Sequence, residues 1–70
     1  MTRVPVVVSI GVDAELSDVI ARLRTLGLVV DRVLDPLGVV VGSVDPDRLA
    51  ALGTVPGVSG VERQRTVGPA

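Results

Sequence analysis

Two stretches of the chain echo one another: Ser9 to Leu16, SIGVDAEL, and Gly42 to Leu49, GSVDPDRL. Each leaves a Val-rich segment, passes an Asp and enters a segment with Leu at helical spacing. That order reads as a strand running into a helix, because Asp at a helix start accepts from free backbone N–H groups and meets the positive end of the helix dipole. Upstream of the first copy, Val4 to Ile10 (VPVVVSI) reads as a strand, with Pro5 near its beginning, where a missing donor is tolerated. Downstream, with Asp13 as N-cap and Glu15 in the first turn, Leu16, Val19, Ile20, Leu23 and Leu26 form one apolar stripe of a helix that Gly27 closes at C′. Around the second copy, Val39 to Val44 reads as a strand. Asp45 caps a short helix over Pro46 to Leu52, with Leu49 and Leu52 inward and Gly53 at its end.

Between the two units lies Leu28 to Leu34 (LVVDRVL), a strand joined to the next by the turn residues Asp35-Pro36-Leu37-Gly38. After the loop Thr54-Val55-Pro56-Gly57, a last strand is expected from Val58 to Thr66. Two interleaved split strand-helix-strand units define an α+β, ferredoxin-like β-α-β-β-α-β sandwich. Right-handed crossovers place the first and third strands at the centre of a four-stranded antiparallel sheet, with both helices on one face. Residues 1–66 make a single domain and 67–70 a tail, since 70 residues supply only one small core.

Composition removes whole classes of function. The chain has seven Arg, six Asp and two Glu, a net charge of −1, so it lacks the basic excess that nucleic-acid binding requires. It has no Cys, His, Lys or aromatic residue. Disulfides and thiolate metal sites are excluded, and Ser and Thr have no His or Lys beside them to activate a nucleophile. Asp45 and Asp47, like Asp13 and Glu15, are explained by helix starts rather than by acid–base chemistry. No phosphate-binding glycine pattern occurs; Gly42 and Gly60 fall inside strands, where Gly marks a bulge or a close backbone approach. The reading is a non-enzymatic protein with no cofactor and no metal. No apolar run reaches the roughly 18 residues of a membrane span, and Pro5 and Ser9 interrupt the one early apolar stretch, so the expectation is a cytoplasmic protein with no membrane partner. Richness in Val, Arg, Gly and Asp without Lys points to a high-GC bacterial source.

A sheet covered on one face should alternate apolar and polar residues, as the second strand does around Asp31 and Arg32. The central strands, Val6-Val7-Val8 and Val39-Val40-Val41, instead place Val on both faces. The uncovered face is therefore expected to carry an apolar patch for a partner, with Val7 and Val40 as its markers.

Leu49-Ala50-Ala51-Leu52, Val55-Pro56-Gly57-Val58 and Val61-Glu62 give the chain a further reading. With these residues it resembles the subtilisin propeptide and inhibitor family, whose members share the same order of elements. The resemblance implies that the open sheet face docks on a subtilisin-like serine protease and that the C-terminal tail enters the active-site cleft like a product. Ala70 would then fill the primary specificity pocket, Pro69 and Gly68 would precede it, and Val67 would fill an apolar pocket four residues back. Glu62 matches a position where family members meet helix N-termini of the protease. Gln64 stands where a second carboxylate is expected, flanked by Arg63 and Arg65. With Met1 first and no protease domain after the tail, the resemblance implies a free-standing inhibitor or chaperone acting in trans. The chain is also similar to short bacterial chains named ketohydroxyglutarate aldolase, an activity for which it has neither the Schiff-base Lys nor His ligands for a metal. The alternative reading is a non-catalytic interaction or regulatory module that pairs its Val-rich face with itself, as a homodimer, or with another protein.

Overall fold

In a computed structural model that describes residues 3–64, the six elements follow the expected order: β1 (Val4–Ile10), α1 (Leu16–Thr25), β2 (Val29–Leu34), β3 (Val39–Val44), α2 (Leu49–Leu52) and β4 (Val58–Arg63). The strands form one antiparallel sheet in the order β2-β3-β1-β4, so the fold is the expected α+β arrangement with β1 and β3 at its centre. Arg65, Thr66 and the tail Val67 to Ala70 lie outside the described residues.

Local chemistry explains the ends of the helices. α1 begins later than the Asp13 cap suggests: Glu15 occupies the N-cap position in extended backbone and its side chain makes no capping bond. Instead the Ser17 hydroxyl donates to Glu15 Oε1 at 3.1 Å. At the other end Gly27 adopts φ +103, its N–H donates to Arg24 O at 3.0 Å, and Leu28 N–H donates to Leu23 O at 3.1 Å. This is a Schellman closure, with Leu28 and Leu23 also meeting in the core. The second helical segment keeps its expected cap. The Asp45 side chain accepts from Asp47 N–H at 3.0 Å, with Pro46 first in a 3-10 turn (Pro46–Arg48) that leads into α2.

The core lies between the helices and one face of the sheet. Val6, Val8, Val40 and Val44 from the central strands meet Val19 and Leu23 of α1 and Leu52 of α2, with Leu16, Ile20, Leu26 and Leu49 packed around them. Two bulges adjust which side chains reach it. Val30 pairs with Gly42 and Arg32 with Val41, which leaves Asp31 as an extra residue. Unbroken pairing would have turned Arg32 toward the helices; the bulge turns it to the other face and brings Val33 opposite Val40. The two adjacent polar residues of β2 are therefore a bulge rather than the alternation expected from the sequence. In β4, Ser59 is the extra residue between the pairs Gly60–Ser9 and Val58–Ile10, so Val58 rather than Ser59 packs on the core. The Ser59 hydroxyl donates to Ser9 O at 3.2 Å.

Candidate functional site

The helix-free face of the sheet is built by the residues that alternate with the core. On β1 these are Pro5, Val7 and Ser9; on β3 they are Val39, Val41 and Ser43. Strand pairing arranges them in rows. One row runs from edge to edge as Arg32, Val41, Val7 and Glu62. The next runs as Leu34, Val39, Ser9 and Gly60. Val7, Val39, Val41 and Leu34 are all half-buried, whereas their core-facing neighbours Val6, Val8 and Val40 are fully buried. With strands beside them and no helix packed over them among the described residues, these side chains stay partly open to solvent.

This geometry corrects one expected site residue. Val40 belongs to the core: it pairs with Val8, its exposure is 0%, and it packs beneath the helices. The outward residues of that strand are Val39 and Val41, because side chains alternate between faces and Val40 shares its side with Val44. Val7 does lie on the open face. The signal was present in the sequence: Ser9 and Pro5 share parity with Val7, and Ser43 shares parity with Val39 and Val41.

Glu62 is exposed at the β4 edge and directly opposite Val7, which puts a carboxylate at the rim of the Val patch. Gln64 is also exposed, and its backbone N–H donates to Pro5 O at 2.8 Å, continuing the β1–β4 pairing past Arg63. The expected tail site, Val67, Gly68, Pro69 and Ala70, lies outside the described residues. Sequence reasoning did not find Arg32 and Leu34, which reach the open face through the bulge at Asp31. It also did not find the gap at Gly60, whose missing Cβ would meet nothing within 4 Å among the described residues.

A second apolar surface lies at one end of the domain, where Val12 and Leu37 stand 100% and 73% exposed beside a shallow groove lined by Ile10, Leu16 and Pro36. Among the described residues no three acidic, His or Cys side chains come together as a metal site, and no helix is long and apolar enough to cross a membrane. Comparison of the chain with protein families, with curated proteins and with solved structures found no match.

Proposed function

We propose that this chain is a non-catalytic protein-binding domain of the subtilisin-propeptide type, which inhibits a subtilisin-like serine protease, or assists its folding, by laying the open face of its sheet on it. One observation carries the reading: Val7, Val39 and Val41 occupy the centre of a sheet face that neither α1 nor α2 covers, with Glu62 exposed at its rim. An apolar patch in the middle of a small domain gains from burial against a partner. A carboxylate beside it suits the N-terminus of a partner helix, where unpaired N–H groups and the dipole attract negative charge. The likeness in Val55-Pro56-Gly57-Val58 and Val61-Glu62 supplies the class of partner. In this reading Val67 to Ala70 follow the docked sheet into the cleft, and the small, apolar residues of that tail fit a product-like role.

The test is a titration of the purified chain into a subtilisin-like protease assay, alongside a copy ending at Thr66. Inhibition by the full chain that weakens at least about tenfold on truncation, a loss of about 1.4 kcal/mol, is the expected result. A full chain that leaves the protease active at about 100 µM, where even a binding energy of about −5.5 kcal/mol half-fills the site, overturns the reading.

A further inference from the structure

We infer that the open face is self-complementary and that two copies of this chain close on each other, sheet to sheet, about a two-fold axis lying between the sheets and parallel to their strands. Such an axis reverses the order of strands across the interface. It lays β2 over the partner's β4 and β3 over the partner's β1, while each row of side chains stays over the same row.

Charge and size both select this arrangement. In the row Arg32, Val41, Val7, Glu62, the rotation puts Arg32 over the partner's Glu62 at both rims and Val41 over the partner's Val7 in the centre. In the row Leu34, Val39, Ser9, Gly60, the large half of the row falls on the small half. Leu34 then points at the partner's Gly60, where a side chain is missing and, among the described residues, nothing stands within 4 Å of its place. Val39 falls on the partner's Ser9. A two-fold axis running across the strands through the Arg32–Glu62 row does the opposite: it stacks Arg32 on Arg32 and Glu62 on Glu62, and like charges juxtaposed in this way disfavour association; placed between the two rows, it leaves both charges facing Leu34 and Gly60 without a counter-charge. Sheets packed face to face sit about 10 Å apart at about −30°. At the edges of a four-stranded sheet that angle displaces facing residues by only a few Å, within the reach of an Arg side chain.

The area sets the strength. Four strands about 4.8 Å apart and six residues long at about 3.3 Å give a footprint of roughly 400 Å² per copy. A standard stable interface covers about 800 Å² per partner, so this pair is weak and exchanges readily. The same face serves the proposed protease, so dimer and protease complex exclude each other; the dimer rests on the face being a docking surface and not on the partner being a protease.

The test is sedimentation equilibrium of the full chain from about 5 µM to about 1 mM, the range in which a weak interface of this size fills. The expected result is a mass rising from one chain to two. Arg32→Glu and Glu62→Arg, each placing like charges together at two symmetric rims, should each weaken the dimer at least about fivefold, and the double variant R32E/E62R should restore it to within about twofold. Gly60→Leu fills the gap that Leu34 needs and should abolish the dimer, with far-UV circular dichroism unchanged, since a Cβ at this position meets nothing within 4 Å among the described residues. A monomer at every concentration overturns the proposal, as do charge reversals without effect or a double variant that does not recover. A monomer that still inhibits the protease overturns the dimer alone; a dimer that inhibits nothing overturns the protease reading alone.

Discussion

At Gly57 the chain meets two constraints at once. Its φ is +96, and a Cβ there would lie 2.8 Å from Ala14 Cβ and 2.9 Å from Val19 Cγ2, so the loop before β4 can press against the start of α1 only without a side chain. Gly27 has a similar φ of +103 with open space around it. Gly60 has neither a positive φ nor a neighbour in the way. The three therefore separate backbone strain from crowding. Gly27→Ala should cost about 1 to 2 kcal/mol, the penalty of a left-handed residue with a Cβ. Gly57→Ala should cost about 2 to 4 kcal/mol, because overlap adds to that strain. Gly60→Ala should be neutral or stabilise by about 0.5 kcal/mol, since Ala gives up less chain entropy than Gly on ordering a strand. Urea denaturation of the three variants checks the order; equal losses at Gly27 and Gly57 would show that the loop relaxes away from α1.

Among the elements, β3 is where the distinction between core and open face is sharpest. Val40 and Val41 are adjacent, identical and in the same strand, yet one packs under the helices and the other faces out. Replacing each by Thr keeps the β-branched shape and adds a hydroxyl. Val40→Thr buries that hydroxyl among Val and Leu side chains and should cost about 1 to 3 kcal/mol. Val41→Thr leaves it at solvent and should change stability by less than about 0.5 kcal/mol. Equal effects in a thermal or urea melt would contradict the inward facing of Val40 and the outward facing of Val41. The bulges in β2 and β4 work at the same scale. One extra residue reverses the parity of the rest of a strand, so Asp31 decides where Arg32 points and Ser59 decides that Val58 enters the core.

For the whole molecule, the core is built from Val, Leu and Ile, with no aromatic side chain in the chain. Single domains of this length rarely gain more than about 3 to 5 kcal/mol from such a core. A partner that binds only the folded state then shifts a large fraction of the total. If two copies close on each other, the melting temperature should rise by about 3 to 6 °C between about 10 µM and 1 mM chain. The Arg32→Glu variant should show a clearly smaller rise over that range. Circular dichroism is the probe, because a chain without Trp or Tyr gives no useful intrinsic fluorescence.

The amino-acid sequence alone determined the order of the elements, the turn at Asp35 to Gly38, the cap at Asp45 and the closure at Gly27. These features depend on neighbours a few residues apart: a carboxylate near free N–H groups, a Pro that fixes its own φ, a Gly free to take a positive φ. Only the tertiary structure decided which Val faces out. Three Val in succession carry no alternation, and the parity that Ser9 and Ser43 do carry acquires a meaning only once β1 pairs with β3 and the helices choose a side. The exit of Arg32 and Leu34 onto the open face depends on a bulge in the pairing of β2 with β3, and the row that joins Leu34 to the gap at Gly60 exists only because β1 pairs with both β3 and β4, strands far from it in the chain. Local sequence holds no record of a register, because register is fixed by the sum of contacts across the whole sheet.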